Sequence, residues 1–180
     1  AGTTPNADRT QCISPGDSTS WQAQALYEFI SADGWNTYFY TNSTREKDNL
    51  VATYGSHLWQ YRGIAAWVLP QNKPNPGETV PLYRFYNHGS NQHYYTLNQT
   101  DAPVGFNLEG NARYVYAPSN SSRPSGTVPL YRTLLSQWWH PYNTVLSLTP
   151  RNNSSVIPVS IIDRNNSSVI IGYVYDHQVS

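Results

Sequence analysis

One hexapeptide occurs twice in this chain, Thr79-Val80-Pro81-Leu82-Tyr83-Arg84 and Thr127-Val128-Pro129-Leu130-Tyr131-Arg132. Each copy follows a Pro/Gly-rich stretch, Asn75-Pro76-Gly77 and Pro124-Ser125-Gly126. A third, diverged copy precedes them, because Leu26-Tyr27-Glu28-Phe29 parallels Leu82-Tyr83-Arg84-Phe85. The parallel continues: Tyr38-Phe39-Tyr40-Thr41 matches His93-Tyr94-Tyr95-Thr96, and Tyr61-Arg62-Gly63 with Ala66-Trp67-Val68 matches Leu108-Glu109-Gly110 with Arg113-Tyr114-Val115. In the last copy only His140-Pro141-Tyr142-Asn143-Thr144 and Gly172-Tyr173-Val174-Tyr175 stay recognisable. A repeat of about 48 residues constrains the fold more than any other feature, since no single unit buries its apolar face alone. The units fall at about 21–78, 79–126 and 127–180, after a flexible leader over 1–20.

Within a unit, alternating segments such as Leu82-Tyr83-Arg84-Phe85-Tyr86 read as strands, with His88-Gly89-Ser90-Asn91 as the turn of a hairpin. Ser43-Thr44-Arg45-Glu46 is a capping box, so a short helix is expected ahead of Leu50-Val51-Ala52 in the first unit. Gly63 and Gly110 mark bulges or tight bends. The expected architecture is all-β, three pseudo-symmetric repeats closed on themselves so that no sheet edge stays free. A β-trefoil-like arrangement satisfies this, with a small β-propeller as the alternative. The last unit also duplicates Arg151-Asn152-Asn153-Ser154-Ser155-Val156-Ile157 as Arg164-Asn165-Asn166-Ser167-Ser168-Val169-Ile170, which reads as slippage during gene evolution.

The run Pro81-Leu82-Tyr83-Arg84-Phe85-Tyr86-Asn87, then His93-Tyr94-Tyr95-Thr96, then Leu108-Glu109-Gly110 with Tyr114-Val115-Tyr116, resembles a family of tyrosine-rich tandem repeats. That family occurs in secreted bacterial and fungal proteins, often beside hydrolases, and is usually known only as a domain of unknown function. The resemblance covers about 26–135 and implies a non-catalytic, lectin-like repeat module. The departures of the last unit, Thr133-Leu134-Leu135 and Trp138-Trp139, set its hairpin apart from the other two.

Composition narrows the function. Net charge is zero and charged residues are only 12%, which disfavours nucleic acid and acidic membranes as partners. Fifteen tyrosines and six tryptophans are more than one core needs, and these side chains bury area while keeping a polar handle. No run approaches the roughly 20 apolar residues of a membrane span. The first residues, Ala1-Gly2-Thr3-Thr4-Pro5, read as the product of a processing cut. Sequons begin at Asn42, Asn98, Asn120, Asn152, Asn153, Asn165 and Asn166; with the overlapping pairs counted once, Asn42, Asn98, Asn120, Asn153 and Asn166 are the candidate glycosylation sites of a secreted, extracellular chain. Cys12 is the sole cysteine and forms no internal disulfide, so it reads as an exposed thiol or the link of a homodimer.

Sugar recognition needs a flat apolar face for the ring and planar polar groups for its hydroxyls. The middle hairpin offers Tyr86 or Tyr95 as the platform, with Arg84, Asn87, Asn91 and His93 as polar partners. The first offers Trp35, Asn36 and Tyr38, and the last Trp138, Trp139, His140 and Tyr142. His88, His93, His140 and His177 lack the close spacing of a metal site, so neither metal nor cofactor is expected. The scattered acidic residues name no glycosidase pair, and no nucleophile elbow or phosphate loop occurs, so the chain is not expected to be an enzyme. The sequence therefore points to glycans or glycoproteins as partners, met by shallow sites on the repeated hairpins. The rival reading is a protein-binding module, such as a protease inhibitor or toxin component, using loops 71–79 and 150–168.

Overall fold

The computed structural model describes residues 21–55, 57–71, 79–110, 113–137, 140–151 and 168–179. The proposed leader with Cys12, the pair Trp138-Trp139, most of the two long loops and the sequons at Asn153 and Asn166 lie outside them.

Eleven strands and one helix make up the described chain. The first unit contributes β1 (Gln24–Ser31), β2 (Tyr38–Thr41), α1 (Thr44–Tyr54) and β3 (Trp59–Val68). The second contributes β4 (Thr79–Pro81), β5 (Tyr83–Asn87), β6 (Gln92–Thr96), β7 (Asn107–Gly110) and β8 (Tyr114–Tyr116). The third contributes β9 (Val128–Gln137), β10 (His140–Ser147) and β11 (Val169–Val174). They form three antiparallel sheets, in the orders β2-β1-β3, β6-β5-β7 and β10-β9-β11-β8-β4.

The register is the same in each unit. Glu28 pairs with Tyr40, Arg84 with Tyr95 and Arg132 with Leu146 across the hairpins. On the other edge Glu28 pairs with Gly63, Arg84 with Gly110 and Arg132 with Val169. Gly63 and Gly110 hold φ of 104° and 115° beside register shifts, so both are bulges that a side chain would strain.

The closing segments of the units pair with one another in a cycle. Trp67 of the first bridges Tyr175 of the third, Tyr173 of the third pairs with Tyr116 of the second, and Tyr114 of the second bridges Leu69 of the first. Equivalent positions thus alternate around a shared centre. The core repeats the same symmetry: Leu26, Leu82 and Leu130, then Val68, Val115 and Val174, then Tyr40, Tyr95 and Leu146 belong to one buried cluster. Each buried aliphatic or aromatic side chain in it contributes about 1.5–3 kcal/mol of transfer free energy.

Helix α1 breaks the symmetry, because among the described residues a helix occurs in the first unit alone. Ser43 caps it, its hydroxyl accepting from the Glu46 amide at 3.1 Å. No residue of α1 is fully buried. The helix is held by its cap and by the reach of Glu46 rather than by an apolar stripe. Among the described residues no helix is long and apolar enough to cross a membrane.

Candidate functional site

A cleft of about 360 Å³ opens between α1 and the β5–β6 hairpin, where the first unit meets the second. Its walls carry the rings of Phe39, Tyr54, Trp59 and Tyr86, and its polar groups come from Asp33, Glu46, Glu109 and Asn91. His93 lies against its base, its ring stacked on Tyr86 at 4.7 Å and 26° and within 4.7 Å of Phe39. Tyr86 is held in turn by its hydroxyl, which donates to Asn91 Oδ1 at 3.0 Å. Asn91 ends the hairpin turn at φ 52°, a left-handed conformation that Asn tolerates, and this aims its amide back at Tyr86.

A buried arginine organises the carboxylates. Arg84 grips Glu46 as a fork, Nη1 to Oε2 at 3.0 Å and Nη2 to Oε1 at 3.1 Å, while its Nε lies 2.8 Å from Glu109 Oε2. The third arm of this network donates from Nη1 to the Tyr40 carbonyl. Arg84 is only 7% exposed and is not among the residues lining the cleft. It therefore lies behind the two glutamates, whose side chains remain 37% and 31% exposed. Burial alone raises the Glu46 carboxyl, but the hydrogen bonds and charge of Arg84, aided by the Thr41 hydroxyl, outweigh it and hold it below the ordinary glutamate value. Burial likewise opposes ionisation of Glu109, and the His93 hydrogen bond and Arg84 charge again win. Burial dominates at His93 and lowers its imidazole despite Glu109 at 3.3 Å, so the neutral ring donates Nε2–H to that carboxylate. At neutral pH the cleft presents ionised carboxylates and a neutral histidine. None of these three groups holds a proton suited to acid catalysis there.

The residues expected from the sequence separate into distinct environments. Tyr86, Asn91 and His93 line the cleft. Arg84 serves it from behind. Asn87 instead closes its own turn, its Oδ1 accepting from the amides of Gly89 and Ser90. Tyr95 is wholly buried, its hydroxyl spent on the main chain of Tyr40, and so cannot offer a platform to a ligand. Tyr38 is also interior, stacked on Tyr40 with its hydroxyl accepting from Arg151. Their strands explain this, since β2 and β6 are buried along their whole length and the alternation leaves no wet face.

Trp35 is 42% exposed and its ring lies 5.0 Å from that of the buried His140. Asn36 takes φ 53°, and its carbonyl accepts from the Asn143 amide. Tyr142 is exposed and packs edge-on against Tyr94 and Phe106. This second surface joins the first and third hairpins and is separate from the cleft lining. The cleft itself is not repeated: Tyr86 and His93 are replaced by Ile30 and Tyr38 in the first unit and by Leu134 and Thr144 in the third.

Of the sequons, Asn98 is exposed and its Oδ1 accepts from the Thr100 amide and hydroxyl. The Asn42 amide donates to Gln24 and accepts from the buried Arg113, and Asn120 accepts from the Ser122 amide. Among the described residues no group of three His, Cys, Asp or Glu side chains is arranged to hold a metal ion.

Sequence reasoning missed Glu46, Glu109, Trp59 and Asp33 as site residues. Glu46 was legible only as half of a capping box; its carboxylate is turned instead to Arg84 of the next unit. Glu109 was legible only as part of a repeat signature.

A family model described as Domain of unknown function (DUF5648) matches residues 7–116 and, overlapping, 37–147. The chain belongs to that family. No curated protein and no solved structure matches it.

Proposed function

We propose that this protein is a carbohydrate-binding, lectin-like module of a secreted glycoprotein, and that a glycan unit enters the cleft between α1 and the β5–β6 hairpin. The observation that carries this reading is the lining itself. The rings of Tyr54, Trp59 and Tyr86 supply flat apolar faces above the buried Phe39, and fixed carboxylates and one amide stand beside them to meet hydroxyl groups. The polar groups are preorganised by Arg84 and Tyr86, so little side-chain ordering remains to oppose binding. The same arrangement speaks for binding over acid catalysis, because Arg84 holds both glutamates ionised and they have no proton to give.

The cyclic pairing of the closing segments supports a β-trefoil-like ring over a small propeller, as does the threefold repetition of the core. A single open cleft fits a weak interaction, with dissociation constants in the micromolar to millimolar range. The test is a glycan array followed by titration calorimetry of any hit. Replacement of Tyr86 or Trp59 by Ala is expected to abolish measurable binding while the thermal transition stays cooperative. Silence across a broad array would sink the reading.

A further inference from the structure

We infer that the glycan bound in this cleft carries a protonated amine, as a glucosamine-type sugar does. The inference rests on the carbohydrate reading above and names the chemical class of the ligand. Three carboxylates, Asp33, Glu46 and Glu109, face the cleft, and among its described lining residues there is no Lys or Arg. The nearby arginines are both held back from the opening: Arg84 is 7% exposed and screened by the glutamates it binds, and Arg113, whose charge also reaches Glu46 and Glu109, is 4% exposed behind them. Among the described residues both ion-pair contacts of Glu109, to Arg84 Nε and His93 Nε2, go to Oε2, which leaves Oε1 for a donor from outside.

The apolar walls point the same way. The faces of Tyr86, Trp59 and Tyr54 carry the negative lobe of the aromatic quadrupole, which attracts an ammonium group and repels an acid. A neutral sugar would satisfy the rings and some hydroxyl contacts but leave the excess negative charge uncompensated. An acidic sugar would face like charge at close range. Because the whole chain has zero formal net charge, attraction of a cationic sugar must come from this local field rather than from the protein at large.

The full chain is titrated with three probes at a pH below the amine's own pKa: a glucosamine trisaccharide, its N-acetylated counterpart and a neutral glucose trisaccharide. The amine form is expected to bind about tenfold or more tightly than either neutral form, an advantage that shrinks as salt screens the charges. Asp33→Asn keeps an Oδ1 acceptor for the Ser31 hydroxyl and the Trp35 amide. It should cut the amine advantage severalfold, by weakening the amine probe far more than either neutral probe. Neutral probes that bind the cleft as tightly as the amine, with binding lost in Tyr86→Ala, would overturn the inference and spare the carbohydrate reading. An amine advantage that survives both Asp33→Asn and Tyr86→Ala would also overturn it, by placing the attraction elsewhere. Failure of every glycan to bind would remove both.

Discussion

The phenol of Tyr95 satisfies both main-chain groups of Tyr40: it accepts from the amide at 2.7 Å and donates to the carbonyl at 3.0 Å. These residues occupy equivalent places in neighbouring units. The Tyr40 hydroxyl repeats the move one unit on, accepting from the Leu146 amide at 3.0 Å and giving its proton to Glu28 at 2.7 Å. The third link has no hydroxyl, as Leu146 stands at that place. There Arg132 serves the Tyr95 carbonyl through Nη1 at 3.0 Å.

Tyr95→Phe therefore leaves the buried Tyr40 amide without its partner, while the Tyr40 carbonyl keeps Arg84. An orphaned buried donor costs about 1–3 kcal/mol. At about 2–4 °C per kcal/mol for a chain of this size, the midpoint of thermal unfolding should fall by several degrees. Glycan affinity should hold, because Tyr95 does not line the cleft. An unchanged melting curve would show the bond to be dispensable.

At Gly172 the third unit packs tightly against the second. A Cβ there would lie 2.6 Å from Val115 Cγ2 and 3.0 Å from the Tyr116 carbonyl oxygen. The carbonyl belongs to the strand that pairs with β11 and cannot yield cheaply. Gly172→Ala should destabilise by about 1–3 kcal/mol, the range for overpacking a tight interior. Denaturant titration measures it; a neutral result would mean the closing ring is looser than described.

Acid should destabilise the fold in two steps. His93 has its folded pKa lowered, so it binds fewer protons folded than unfolded, and stability falls as pH drops below about 6.5, where the unfolded imidazole charges. Glu46 and Glu109 are also lowered, so their contribution is complete above the unfolded value of about 4.3 and disappears as pH falls through the folded ones. Thermal melts between pH 8 and 3 should show both. His93→Phe keeps a ring between Tyr86 and Phe39; it should flatten the first step and, because Glu109 loses its His93 hydrogen bond, weaken the second.

Removing Arg84 takes from two neighbouring carboxylates the cation that contacts them both. Arg84→Gln should cost at most the roughly 3–5 kcal/mol seen for breaking a buried pair, reduced because both glutamates are about one-third exposed. Arg84→Lys should be intermediate, since one ammonium cannot reproduce the bidentate fork. Chemical denaturation of the three proteins gives the order directly.

What the sequence disclosed was whatever repeats or acts locally. The identical registers follow from the duplicated Leu-Tyr-Arg segments, the helix from Ser43, and the bulges from Gly63 and Gly110. The candidate site was legible in part, through Tyr86, Asn91 and His93 around one turn. Its other half was hidden because it depends on contact between units. Glu46 sits in a helix cap whose local logic predicts a bond back to Ser43, but the Thr41 hydroxyl and Arg84 of the next unit take its carboxylate, and the Ser43 amide goes to Thr41 instead. Tyr38 and Tyr95 looked like solvent-facing rings because alternation along a strand assumes one wet face, and strands β2 and β6 have none.

The most direct measurement is amide and indole chemical-shift mapping of the full chain titrated with the tightest-binding glycan from the array. The account predicts saturable shifts gathered at Asn91, Glu109, Tyr54 and the Trp59 indole, with little change around His140 and Tyr142. Shifts centred on the Trp35–His140 surface, or none at any glycan concentration, would contradict it.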